Sequence, residues 1–257
     1  MQLGGPRRNS MESAVNTAGK RGAVRALFAS LLPNEPKPIR IMRGPFRGAL
    51  IVMNPRNSIR KVFGLYEREL NSWLEQVLRR VRRILDVGAN DGYFTFGCAA
   101  AFRRLGKAGE IIAFEPQREH VDTLQESLDR QPSATTKIRL LQTLVGSEVG
   151  PGVTILDAIR WDIGEPTCRT HTLLKIDVEG AELEVLRGAT SWLKHNNYFV
   201  IEVHEDTLLA KIESLFAEKG LRLNRLNQRP LPLVGREMRS EMNWWLVSDL
   251  DDGRASN

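Results

Sequence analysis

The chain has 257 residues, of which 42% are hydrophobic and 26% charged, an ordinary globular composition with enough length for one α/β domain and its core. No apolar run approaches the roughly 20 residues that a bilayer-crossing helix needs, and the patch Ala26–Leu32 is too short to read as a secretory signal. The net charge of +6 divides unevenly: residues 1–83 hold 17 Lys/Arg against 5 Asp/Glu, or +12, and the remainder holds 20 against 26, or −6.

No aromatic residues are interleaved with the basic N-terminal charges as a nucleic-acid platform requires, so a nucleic-acid partner is not expected. A solvated basic tail beside an acidic domain is the simpler reading, with weak contact to a membrane surface left open. Cys98 and Cys168 fit no metal spacing and read as core thiols of a reducing compartment, which predicts a cytoplasmic protein.

Residues 1–38, rich in Gly, Pro, Arg and Ser, read as a flexible basic leader with at most a short helix near Arg21–Leu32. Residues 39–81 form an N-terminal unit. In it Ile39–Met53 suggests a strand pair around Arg43-Gly-Pro-Phe-Arg-Gly48, and the spacing of Leu70, Trp73, Leu74, Val77, Leu78 and Val81 predicts an amphipathic helix over Glu67–Val81.

Residues 82–250 then alternate. Strands are predicted at Arg83–Val87, Glu110–Glu115, Lys137–Val145, Leu173–Val178 and Tyr198–His204. Helices are predicted at Phe94–Leu105, Gln117–Arg130, Ala181–Lys194 and Leu208–Lys219, and Leu221–Leu226 and Asn243–Ser248 close the sheet. The expected fold is α/β, a mostly parallel seven-stranded sheet with helices on both faces, followed by a tail over 251–257.

Ligands of such a sheet sit beyond the carboxyl ends of its strands. Those ends present Asp86, Gly88, Glu115, Asp177, Glu179, Glu202 and His204. Crowded carboxylates raise one another's pKa unless a cation shares the site, and a sulfonium ligand or a metal would supply one. The turn Gly88-Ala-Asn-Asp-Gly92 lacks the G-x-G-x-x-G of a pyrophosphate loop, and Asp86 ahead of it would repel a pyrophosphate. Gly88 and Gly92 are expected to leave room for the methionine part of S-adenosylmethionine, and Glu115 to accept hydrogen bonds from both ribose hydroxyls.

Asp86-Val-Gly-Ala-Asn-Asp-Gly92, Ala113-Phe-Glu-Pro116, Ile155-Leu-Asp157, Leu174-Lys-Ile-Asp-Val-Glu-Gly-Ala-Glu182, Val185-Leu-Arg-Gly188 and Ile201-Glu-Val-His204 occur in this order. Over roughly residues 60–247 the chain resembles the FkbM family of S-adenosylmethionine-dependent methyltransferases. The resemblance implies a class I methyltransferase (Rossmann-like) sheet and O-methylation of a hydroxyl on a small molecule, sugar, glycan or natural product. It carries cofactor contacts to Asp86, Gly88, Ala89, Asn90, Gly92 and Glu115, and sets Asp177 beside the reacting methyl group. The chain departs from the family in a short segment between Val145 and His171, which puts the substrate groove in doubt.

Catalysis of an in-line displacement requires alignment and a proton acceptor. His204 is the first candidate base, with Glu202 two residues earlier on the same side, and Asp177 the second. No metal is assigned, although Asp177, Glu202 and His204 form the one constellation that would suit a carboxylate–imidazole site. An RNA or protein methyltransferase using the basic N-terminal part, and a non-catalytic protein retaining the fold, are the alternatives. Oligomeric state is not legible.

Overall fold

The computed structural model describes residues 33–132, 135–227 and 244–250. The short helix expected near 21–32, most of the leader and the tail over 251–257 lie outside the described residues.

Strands β1 (Lys37–Arg40) and β2 (Leu50–Met53) pair antiparallel, with Ile39 opposite Ile51. A single turn, α1 (Ile59–Val62), leads to α2 (Asn71–Arg80), which buries Trp73, Leu74, Val77 and Leu78 at the predicted spacing. The helix does not reach back to Glu67, because that residue takes a left-handed φ of +49° and the next turn, Arg68–Leu70, is a 3-10 helix.

The alternation follows: β3 (Arg83–Val87), α3 (Tyr93–Arg104), β4 (Gly109–Phe114), α4 (Arg118–Asp129) and β5 (Thr136–Leu141). After β5 come two short strands, β6 (Leu144–Val145) and β7 (Val153–Thr154), then β8 (Thr172–Ile176), α5 (Glu182–Arg187), β9 (Tyr198–Val203), α6 (Asp206–Glu218), β10 (Leu223–Leu226) and β11 (Trp244–Ser248).

Seven strands form one sheet in the order β10-β11-β9-β8-β3-β4-β5. Pairing is parallel from β9 to β5, and β11 runs antiparallel to both of its neighbours. From β3 the chain adds β4 and β5 on one side, then returns to lay β8 and β9 on the other. The crevice between the ends of β3 and β8 is therefore the topological switch point.

Side-chain alternation splits the core between two faces. Ile84, Leu173 and Val200 point to the face covered by α2, α3, α4 and the β1–β2 pair. Leu85, Leu174 and Ile201 point to the face covered by α5 and α6. Among the described residues no α-helix fills the return from β5 to β8. A 3-10 turn at Leu156–Ala158 and Trp161, packed edge-on against Trp192 at 5.9 Å, cover that stretch instead. The Arg169 guanidinium lies 4.3 Å from the Trp192 ring and closes the cluster.

Two expected elements are shorter than their sequence pattern. The strand expected over Lys137–Val145 leaves the main sheet at Leu141, and Leu144–Val145 pairs instead with β7. The helix expected over Ala181–Lys194 stops at Arg187, and Thr190–Trp192 is a separate 3-10 turn. Asp157 organises that turn by accepting hydrogen bonds from the Ser191 N–H and the Thr190 and Ser191 hydroxyls.

Gly188 makes the break possible. A Cβ there would stand 2.0 Å from the carbonyl oxygen of Gly146 and 3.2 Å from Ile155 Cβ, so the helix end and the β6–β7 loop touch backbone to backbone. Gly188→Ala should therefore cost about 1–3 kcal/mol by overpacking, a fall of roughly 3–10 °C in Tm for a chain of this size. Calorimetric melting checks this, and an unchanged Tm would show that the loop yields freely.

Candidate active site at the switch point

The residues after β3 turn under backbone control. The N–H groups of Gly88 and Ala89 both donate to the Phe114 carbonyl at 3.0 Å, and Asn90, at φ +49°, donates its N–H to Glu115 Oε2 at 2.8 Å. Asp91 Oδ1 accepts from the Tyr93 N–H at 3.2 Å, starting α3. Its other oxygen meets Lys61 Nζ at 2.5 Å, and that ammonium lies over the Tyr66 and Tyr93 rings.

Beyond this turn opens a cavity of about 240 Å³, lined by Gly88, Asn90, Glu115, His120, Asp177 and Glu179, with Val87, Phe114, Leu144 and Val145 as apolar wall. Glu115 is buried at its rim. Besides Asn90, its carboxylate accepts the Gln117 N–H at 3.0 Å and faces His120 Nδ1 at 3.4 Å. Each carboxylate oxygen carries two lone pairs, so acceptor capacity remains for hydroxyl groups of a ligand.

The glycines also serve the packing of the chain itself. A Cβ on Gly88 would fall 1.9 Å from the Asp177 carbonyl oxygen, and one on Gly92 would strike the Phe96 ring at 2.4 Å. Their missing side chains make room for protein, namely the end of β8 and the first turn of α3. Only the backbone of Gly88 lines the cavity, and Ala89 is packed into the core.

Asp86 also departs from expectation. Its side chain is fully buried on the α3 face and does not line the cavity. Oδ2 accepts from the Thr95 hydroxyl at 2.5 Å, while Oδ1 accepts no hydrogen bond and has the Lys175 ammonium at 3.5 Å. Burial pushes the Asp86 carboxyl above its usual range despite the opposing pull of Lys175 and Thr95.

Lys175 is the cation that the crowded carboxylates need. From β8 its Nζ donates to the Gly88 carbonyl at 2.6 Å and stands 3.2 Å from Asp177 Oδ2. Burial disfavours its charge, but Asp177, Asp86 and Glu67 outweigh burial and raise its pKa above the ordinary lysine value. The repulsion between Asp86 and Asp177 is thus relieved within the chain, by Lys175. An apolar strand interrupted by one lysine, in register with Asp86 on β3, was the available signal.

On the same face, Asp177, Glu202 and His204 converge. Ligand atoms of all three lie within 4.8 Å of one another, and His204 Nε2 is 3.6 Å from Asp177 Oδ1. Burial would raise the Asp177 pKa, but Lys175, His204 and a hydrogen bond with Glu202 hold it below the usual carboxylate value. His204 Nδ1 lies 2.6 Å from Oε1 of Glu182, which is fully buried. Burial would lower the imidazole pKa, yet the Glu182 hydrogen bond and the charges of Glu202, Glu182 and Asp177 raise it.

The cavity and the polar cluster meet at Asp177. Glu179, in a left-handed turn at φ +42°, is exposed and reaches only the cavity. Glu182 and His120, outside the candidate residues read from the sequence, stand against His204 and beside Glu115. His171 and His195 lie away from the site, and His171 lines a cleft of about 470 Å³ with Arg80, Arg82, Arg83 and Cys168. That cleft opens at the amino ends of the strands, where none of the strand-end residues above is found.

Removing the Lys175 charge should leave Asp86 uncompensated, a loss of about 3–5 kcal/mol for a broken buried pair. Lys175→Met is expected to show it in urea unfolding, with Lys175→Met/Asp86→Asn recovering part of the loss. A single variant within 1 kcal/mol of wild type, the level of an exposed pair, would show that the link carries no such weight.

The chain is similar to known methyltransferases. Residues 130–223 match the methyltransferase FkbM domain model, a span that holds Leu174–Glu182 and Ile201–His204 but not the turn after β3. A hexuronic acid methyltransferase, AglP, of Haloferax volcanii is 28% identical over 171 residues, covering 59% of this chain and 69% of that protein. The crystal structure of methyltransferase FkbM from Methylobacillus flagellatus KT superposes with a TM-score of 0.51 at 21% identity, over 66% of this chain. The chain spans only 44% of that structure's length. Methyltransferases of this fold generally use S-adenosylmethionine, and among the described residues no helix is long and apolar enough to cross a membrane. Residues 130–223 are thus similar to the FkbM methyltransferase domain, and the chain folds on a class I, Rossmann-like sheet.

Proposed function

We propose that this protein transfers the methyl group of S-adenosylmethionine to a hydroxyl of a sugar, glycan or related natural product. The observation that carries the reading is Glu115, a buried carboxylate with spare acceptor capacity at the rim of the switch-point cavity. A nucleoside ribose fits that position, with its base against Phe114, Leu144 and Val145 and its sulfur end toward Asp177.

When bound, S-adenosylmethionine supplies an electrophilic methyl carbon whose departure returns an electron pair to sulfur. The chain aligns the acceptor oxygen with that carbon and receives the hydroxyl proton released as the new C–O bond forms. Asp177, Glu202 and His204 are the groups proposed to face the acceptor, because Asp177 alone belongs to both cavity and cluster. The name of the Haloferax volcanii relative makes hexuronic acids the first acceptors to try. A carboxylate-bearing sugar would be repelled by Asp177 and Glu202 unless a cation lay between, whereas a neutral sugar hydroxyl would not.

Calorimetric titration with S-adenosylhomocysteine is expected to give saturable binding. Glu115→Ala should weaken it about 10- to 100-fold, the worth of charge-assisted hydrogen bonds to the ribose. No heat from the folded wild type would refute the donor assignment.

A further inference from the structure

We propose that Asp177, Glu202 and His204 bind a divalent metal ion that activates the acceptor hydroxyl, a site that sequence reading had left without a metal. The proposal rests on the methyl-transfer reading for its purpose, but not for its geometry.

Two carboxylates and one imidazole present ligand atoms within 4.8 Å of one another. Cation–ligand distances of about 2.0–2.2 Å place neighbouring donors some 3–4 Å apart, so small side-chain adjustments close the set around one ion. Asp177 is already divided in the required way. Oδ2 faces Lys175 at 3.2 Å and Oδ1 faces His204 at 3.6 Å, leaving Oδ1 for the ion.

A second, independent observation is the support behind His204. Its Nδ1 is 2.6 Å from the fully buried Glu182, whose same oxygen accepts the Gly180 N–H at 2.9 Å. A carboxylate on one ring nitrogen fixes the tautomer, orients the ring and aims the lone pair of the other nitrogen at the open side, which is the usual support of a metal-binding histidine. Glu182 Oε2 is itself buried without a hydrogen-bond partner, as is Asp86 Oδ1.

Charge points the same way. Glu67, Asp86, Asp177, Glu182 and Glu202 gather around the Lys175 ammonium and the His204 imidazole. Five carboxylates against one ammonium, mostly buried, leave a surplus of negative charge that a divalent ion offsets. The mixed oxygen and imidazole donors suit Mn²⁺ or Zn²⁺ better than Ca²⁺.

In this arrangement His204 is a ligand, and the ion acts as a Lewis acid. The acceptor O–H bond breaks and its proton passes to solvent water. The oxygen pair forms the bond to the methyl carbon, and the C–S pair stays on sulfur.

The test is Mn²⁺ binding to the full chain, followed by calorimetry and by loss of the free-ion electron paramagnetic resonance signal. S-adenosylhomocysteine is titrated into the same samples. Saturable one-to-one Mn²⁺ binding is expected. It should weaken at least tenfold in His204→Ala and in Glu202→Gln, and by about 10- to 100-fold in Glu182→Gln, where only the support is altered. Glu115→Ala should keep Mn²⁺ binding while losing affinity for S-adenosylhomocysteine. The conservative Glu202→Gln and Glu182→Gln variants keep the test decisive should His204→Ala fail to fold. No Mn²⁺ binding, or binding that survives all three cluster variants, overturns the site. S-adenosylhomocysteine binding without Mn²⁺ binding would leave the methyl-transfer reading standing with His204 as base, and the reverse would leave the metal without that reading.

Discussion

The ammonium of Lys175 holds the switch point together. It joins the Gly88 carbonyl at the end of β3 to Asp86 on the same strand and to Asp177 beyond β8. Parallel strands that diverge in topology at this crevice have no turn to tie their ends, and a buried cation among carboxylates supplies that tie. A buried ion pair is rarely a net source of stability, because desolvation offsets much of the attraction. Its value lies in position. With Lys175 in place, Asp177 is ionised and fixed between the cavity and the His204 cluster.

Two chemistries follow from one sheet edge. Alternation along β3, β8 and β9 sends Asp86, Lys175 and Glu202 to the α2–α3 face, while the cavity opens beside Gly88 and Glu115. The cavity and the His204 cluster are therefore neighbours, with Asp177 in both. Glu67, held in a left-handed conformation at the start of the 3-10 turn before α2, brings the N-terminal unit within electrostatic reach of Lys175. The segments before β3 thus take part in the polar cluster as well as covering the sheet.

Much of the architecture was legible because it is periodic. The apolar strands, the three- and four-residue spacing of α2 and the order of strand and helix all carried through to the sheet. Gly188 was not legible as a helix stop, since the apolar pattern runs on to Trp192 and Leu193 and the reason for the break is a loop remote in sequence. The strand beyond Leu141 failed similarly, because Leu144–Val145 find a partner only when β7 returns. At the site, Glu115 and Asp177 could be read from strand ends. Asp86, Gly88 and Gly92 were read as ligand contacts; their neighbours are Lys175, the β8 end and Phe96, and of the three Gly88 lines the cavity. Spacing marks such residues as important and does not say whether a ligand or the protein itself fills the space. Glu182 carries no sequence signal of its role, since a carboxylate in a first helical turn is favourable anyway; only the fold brings it to His204.

A crystal structure with S-adenosylhomocysteine bound tests the central claim most directly. The account predicts the ribose hydroxyls on the Glu115 carboxylate, the base against Phe114 and Leu144, and the sulfur directed toward Asp177. A ligand seated instead in the cleft of Arg80, Arg83 and His171, or one whose ribose makes no contact with Glu115, would contradict it.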